Sequence, residues 1–192
     1  RSKAMNNPSA SAVSSPSELL DRLDVFVDSL PDADMTTLVY VELDPMTGRF
    51  RYACAGHPPP LVVSATGVPR LLWGARSTPL GRQFRSRRIE SIDALGDAER
   101  LVLYTDGLVE RRGEHLDEGF RRLLTTTAHD VASVDFVDRL SDHMLHGVPQ
   151  RDDVCVLTVS RLDGRSFARS LAATPADLAA LRRELKTWLA LW

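Results

Sequence analysis

Two short acidic motifs carry the residues best suited to chemistry in this sequence. The first is Thr105-Asp106-Gly107, delivered by the apolar run Leu101-Val102-Leu103-Tyr104. A buried strand there would present an aspartate at its C-terminal end, beside a glycine that lets a ligand approach the backbone. The second is Arg151-Asp152-Asp153, which stands just before the apolar run that starts at Val154. If the two runs are antiparallel neighbours, the end of one lies beside the start of the other, and Asp106 and Asp152 meet at one sheet edge. Carboxylates clustered at strand ends suit a hard divalent cation such as Mg²⁺ or Mn²⁺, which prefers carboxylate and water oxygens. Taken singly, each motif reads as an ordinary turn or solvated loop. Their order along the chain is what gives them interest.

Other candidates are weaker. His57, between Gly56 and Pro58-Pro59-Pro60, could act as a general acid, but its setting assigns it first to shaping a rigid bend. His143 and His146 share i, i+3 spacing without further ligands nearby in sequence, which predicts a surface or helix-end role. Cys54 and Cys155 each lie in an apolar strand-like segment rather than a CxxC pair, which predicts buried reduced thiols.

The elements that must position these residues follow from periodicity. Leu19, Leu20, Leu23, Val27 and Leu30 recur at helical spacing up to Pro31. Thr36–Leu43 and Arg49–Ala55 are β-rich and joined by Asp44-Pro45-Met46-Thr47-Gly48, a hairpin. Leu61–Ala65 and Pro69–Trp73 flank a second turn, Thr66-Gly67-Val68. Residues 85–92 alternate in character, with Ile89 and Ile92 as expected inward anchors. Leu101–Tyr104 and Val154–Val159 read as buried strands, and Phe120–Leu124 and Val131–Leu145 as helices. Helix, antiparallel strands, helices and strand in that order predict an α+β fold whose sheets are covered by helices.

The chain has 192 residues, is 43% apolar and 26% charged, and has a formal charge of −2. That balance gives no electrostatic case for nucleic acid or an anionic membrane. No apolar run approaches the roughly 20 residues that span a bilayer, and the N-terminus lacks the order of a signal peptide, so a cytoplasmic location is expected.

Four segments in order resemble the motif series of RsbU/stage-II-sporulation-E type phosphatases, a branch of the PPM (type 2C) serine/threonine phosphatases. They are Ala55-Gly56-His57-Pro58-Pro59-Pro60, Pro79-Leu80-Gly81, Leu103-Tyr104-Thr105-Asp106-Gly107-Leu108-Val109-Glu110 and Arg151-Asp152-Asp153-Val154. The resemblance implies an α-β-β-α sandwich of antiparallel sheets. It also implies two Mn²⁺ or Mg²⁺ ions activating a water that attacks a phosphoserine or phosphothreonine directly. By motif match, Asp106 and Asp152 would be metal ligands and Gly107 would lie beside the metal. Asp153 is the secondary candidate, read as a loop acid. The implied substrate is a phosphorylated anti-sigma-factor antagonist.

The family's upstream segment carries two further aspartate motifs, and neither stands upstream here. The expectation is therefore a domain incomplete at its N-terminus, whose 192 residues alone hold metal weakly and hydrolyse little. Residues 1–16 are expected to form a mobile leading segment, and 17–162 the C-terminal part of the phosphatase domain. Residues 163–192 are read as a linker and opening elements of a further domain. Within them, Phe167–Trp192 resembles the first strand and helix of anti-sigma-factor kinases, with Leu178, Leu181, Leu185, Trp188, Leu189 and Trp192 as an apolar stripe. The implied partners are thus the phosphorylated antagonist and a kinase domain in the same chain.

Overall fold

The computed structural model describes residues 15–30, 35–81, 87–128, 135–147, 153–162 and 166–172, with side chains up to Arg161. The expected helix from residue 174, the start of the helix expected from Val131, and most of the 1–16 segment lie outside the described residues.

Two sheets stack face to face. The first holds β1 (Leu38–Leu43), β2 (Arg49–Ala55), β5 (Arg76–Ser77) and β6 (Ser91–Ala94). The second has the order β4-β3-β7-β8-β9, from Pro69–Leu71, Leu61–Val63, Arg100–Tyr104, Val156–Leu162 and Ser166–Ala172. Helix α1 (Pro16–Val27) packs on the first sheet, and α2 (Leu116–Thr127) and α3 (Phe136–Leu145) cover the second. The result is the expected α-β-β-α sandwich, largely antiparallel, with a short parallel pairing of β2 with β5.

Strand parity distributes the apolar residues among three cores. On β2, Phe50, Tyr52 and Cys54 point between the sheets, while Ala53 and Ala55 point at Leu20 and Val27 of α1. On β7, Leu101 and Leu103 face the other sheet, whereas Val102 and Tyr104 join Leu123, Leu140 and Met144 beneath the helices. A strand buried on both faces explains why Leu101–Tyr104 is continuously apolar in sequence. Both expected hairpins are present, with Gly48 at φ 74° and Gly67 at φ 79° taking the left-handed turn positions. Both cysteines are free thiols. Cys54 is buried, which pushes its pKa up to about 12, and Cys155 is half-buried.

The start of α1 is closed by a capping box. Ser15 Oγ accepts from the Glu18 N–H and Glu18 Oε2 accepts from the Ser15 N–H, with Pro16 in the first turn. The helix ends at Val27, before the expected Leu30, whose side chain is exposed.

The expected inward anchors Ile89 and Ile92 are corrected: both are exposed. Among the described residues of that stretch the buried side chain is Arg88, and its chemistry explains why Ile89 faces out. All five of its N–H donors are satisfied. Nε donates to Asp24 Oδ2 at 2.7 Å and Nη2 to Asp24 Oδ1 at 2.5 Å. The remaining bonds go to Ser77 Oγ at 2.9 Å, Pro79 O at 3.1 Å and Thr78 O. The Gly81 N–H adds a bond to Asp24 Oδ1 at 3.2 Å. A guanidinium that finds every partner inside takes the buried position, and Ile89 next to it turns to solvent; Ile92 lies opposite Arg51 on β2, on the face away from Phe50 and Tyr52.

Removing one partner of this pair strands a buried charge, which typically costs about 3–5 kcal/mol. Arg88→Ala and Asp24→Asn are each expected to lower unfolding free energy on that scale in urea titrations. Arg87→Ala, next to it and exposed, is expected to change it by less than about 0.5 kcal/mol.

Candidate active site

The register of β7 on β8 decides where the acidic motifs lie. Tyr104 pairs with Val156, the last residue pair of that ladder, so the chain leaving β7 runs beside the chain entering β8. The contact continues past the strands. Thr105 N–H donates to Cys155 O at 3.0 Å, Thr105 Oγ1 donates to Asp153 O at 3.0 Å, and the Cys155 N–H donates back to Thr105 Oγ1 at 2.9 Å. Thr105 thereby clips residues 153–155 to the residue that precedes Asp106. Arg151 and Asp152 lie outside the described residues; Asp153 is exposed beside the clip.

Asp106 opens a 3-10 turn, Asp106–Leu108, which buries Leu108 and leaves the aspartate side chain exposed. Its Oδ1 accepts from the Gly107 N–H at 2.9 Å, and its backbone carbonyl accepts from the N–H groups of Val109 and Glu110, both at 2.8 Å. Gly119 holds the turn from outside: a Cβ there would stand 2.1 Å from Val109 O, so only glycine lets α2 settle this close. Among the described residues Asp106 has no cationic partner. It is an exposed carboxylate with one oxygen on its own turn and, among the described residues, no positive side chain to neutralise it.

The Gly56–Pro60 bend reaches the same end of the sheet. Leu61 pairs with Val102, and the buried Tyr104 hydroxyl donates to Pro59 O at 2.9 Å. The Pro79 segment joins it, since the Gly56 N–H donates to Ser77 O at 2.8 Å and Gly56 abuts Pro79. His57 is half-buried. Burial lowers its pKa, while hydrogen bonding to Pro58 O and the negative charge of Asp106 act in the opposite sense. Segments separated by up to about 100 residues in sequence therefore share one corner of the sandwich.

His143 and His146 stand apart at the C-terminal end of α3. His143 Nδ1 bonds Arg139 O at 2.9 Å, and His146 is the C-cap, the helix-end role the sequence predicts. Among the described residues no three His, Cys, Asp or Glu side chains are grouped as a metal site. Sequence reasoning missed Thr105 and the Tyr104 hydroxyl as the groups that hold the corner together. A threonine next to a strand-end aspartate is a signal too common to single out. The Asp24–Arg88 pair, 64 residues apart, left no local trace.

No helix among the described residues is long and apolar enough to cross a membrane. Residues 2–162 match the family model for stage II sporulation protein E (SpoIIE). In fold, the chain is similar to the RsbU and RsbW domains of Rv1364c from Mycobacterium tuberculosis. That match has 29% identity and a TM-score of 0.67, over 93% of this chain and 52% of that one, so the chain spans about half of its length. It is also similar to the phosphatase domain of the cell fate determinant SpoIIE from Bacillus subtilis, presoaked with Mn, at 16% identity and a TM-score of 0.55. There the match covers 81% of this chain and 66% of that one. The SiaA-PP2C domain of Pseudomonas aeruginosa matches at 24% identity and a TM-score of 0.55, over 78% of this chain and 61% of that one. With the family model covering most of its length and its sandwich shared with these phosphatase domains, the chain belongs to the SpoIIE family, as a PP2C-like phosphatase domain of the SpoIIE/RsbU type.

Proposed function

We propose that this domain is the Mn²⁺- or Mg²⁺-dependent catalytic part of a serine/threonine protein phosphatase that acts in the cytoplasm on a phosphorylated anti-sigma-factor antagonist. The observation that carries the reading is the Thr105 clip, which fastens the start of the Asp106 turn to the backbone of Asp153. Asp106 fits a hard divalent cation. Its carboxylate is exposed, uncompensated by any positive side chain among the described residues, and has one oxygen engaged only by its own Gly107 amide. Asp106 and Asp152 would hold the metal, with the Gly107 backbone beside it and Asp153 as a further carboxylate. The bound ions would supply Lewis-acid polarisation of the phosphoryl group and a water of lowered pKa. Asp106 itself orients by its turn, and Thr105 keeps the facing strand start at a fixed distance.

Sequence resemblance supports the substrate class, and the joint RsbU and RsbW domains of the mycobacterial relative support a kinase domain in the same chain as partner. A second reading, a phosphatase-like module that binds such partners without turnover, is favoured by one observation. No three metal-ligating side chains are grouped among the described residues.

Activity separates the two. The natural gene product is expected to release phosphate from a small aryl phosphate only with Mn²⁺ or Mg²⁺, and Asp106→Asn is expected to abolish that release. Activity without metal, or activity that survives the substitution, overturns the enzyme reading. Thr105→Val removes the hydroxyl that donates to Asp153 O and accepts from Cys155 N–H, at an expected stability cost of about 1–3 kcal/mol. On this reading, the same variant also weakens Mn²⁺ binding in calorimetric titration, whereas a clip that served folding alone would leave the affinity unchanged.

A further inference from the structure

The bend between β2 and β3 contains three successive prolines, which supply no N–H of their own, so their carbonyls must find donors elsewhere. Each does. Pro58 O bonds His57 Nδ1 at 3.0 Å, Pro59 O accepts from the Tyr104 hydroxyl at 2.9 Å, and Pro60 O accepts from the Leu72 N–H at 2.8 Å. Gly56 fixes the other side: its φ is 63°, and a Cβ there would lie 2.5 Å from Pro79 Cγ. The ring of His57 is therefore bonded to a bend that is itself fixed at Gly56 and at all three prolines.

A carbonyl oxygen only accepts, so Nδ1 must carry the proton in the bond to Pro58. Burial favours the neutral ring. A neutral imidazole protonated at Nδ1 has a bare lone pair at Nε2, and Nε2 has no partner among the described residues. Asp106 stands two residues beyond Tyr104, whose hydroxyl holds Pro59 O two residues beyond His57, so the backbone brings the ring and the carboxylate to the same corner, and the charge of Asp106 acts on the ring in the sense that opposes burial. A lone pair and a carboxylate sharing one corner are reconciled by a proton donor between them.

We propose that His57 is a positioning residue of this site: its Nδ1–H locks the ring to Pro58, and its Nε2 accepts a hydrogen bond from a water held beside Asp106. The inference rests on the phosphatase reading above. What distinguishes it from bend-shaping alone is the second nitrogen. The bend uses a donor at the Nδ1 position, which an asparagine amide supplies; the acceptor at Nε2 is surplus to the bend.

His57→Asn in the natural gene product is the discriminating variant, since its amide can take over the bond to Pro58 O. It is expected to keep the parent's thermal midpoint and KM while kcat falls about 10- to 100-fold, as loss of an orienting partner does. His57→Ala is expected to lower both the midpoint and kcat. NMR of the ¹⁵N-histidine-labelled parent is expected to show the Nδ1–H tautomer at His57, with Nε2 shifting on addition of Mg²⁺ while His143 and His146 stay put. Unchanged kcat in a folded His57→Asn enzyme, or an Nε2–H tautomer, overturns the proposal and leaves the phosphatase reading standing. So does an Nε2 that ignores Mg²⁺ while the Gly107 amide responds. A parent that releases no phosphate with either metal removes both. If His57→Asn does not fold, the tautomer and the Mg²⁺ response of the parent decide.

Discussion

The antiparallel pairing of β7 with β8 is the constraint on which the candidate site depends. A ladder of five residue pairs from Arg100↔Ser160 to Tyr104↔Val156 fixes which residues leave and enter at its end. A slip of one residue would reverse every side chain on β8 and send Val156 away from the core it shares with Val102 and Tyr104. Register is thus enforced by burial on both faces, and the site inherits its geometry from hydrophobic packing. Thr105 extends the pairing by three hydrogen bonds beyond the last strand pair. The placement of Asp106 and Asp153 comes from the residues on either side of them.

A second set of constraints arrives from the opposite side of the sandwich. Arg88 gathers the carbonyls of Thr78 and Pro79 and the Ser77 hydroxyl, and anchors them to Asp24 of α1. Pro79 in turn abuts Gly56, the residue before His57. The chain of contact therefore runs from a buried ion pair beneath α1, through a proline, to the bend at the candidate site. The ion pair need not add much net stability to shape this region, because burying two charges offsets most of their attraction. Its directional bonds fix where the 77–81 segment lies.

Much of the sandwich is legible in the sequence because burial writes itself into periodicity. Two-sided burial makes β7 a continuous apolar run, and one-sided burial puts Val137, Leu140 and Met144 at helical spacing on α3. The hairpins announce themselves through Gly48 and Gly67, which the turns place at positive φ. Long-range polar pairing has no such period. Asp24 looks like any solvent-facing helical acid, and Arg88 sits among basic neighbours that conceal its burial. The error at Ile89 has the same origin: hydropathy assigns it inward, and the partners that α1 and the 77–81 segment supply to Arg88 turn it out; Ile92 is turned out by its register opposite Arg51 on β2. The Asp106 site was half legible, since the strand-end motifs were visible while the threonine and tyrosine hydroxyls that join them were not.

Strand β9 bears on where the domain should be divided. The sequence reading places a boundary after residue 162, and the family match also ends there. Yet the backbone of 166–172 pairs with β8 along its whole length, Ala172 opposite Val156 and Ser166 opposite Leu162. An unpaired β8 would leave a row of N–H and C=O groups open at the edge of the second sheet, which folded proteins ordinarily cover. Pairing with β9 covers it with the next available stretch of chain, and the antiparallel direction brings Ala172 back toward the end of β8 where Thr105 and Asp153 meet. A boundary drawn from family likeness and one drawn from sheet hydrogen bonds answer different questions. The first marks where the family likeness stops, and the second how far the strand pairing of this sheet runs.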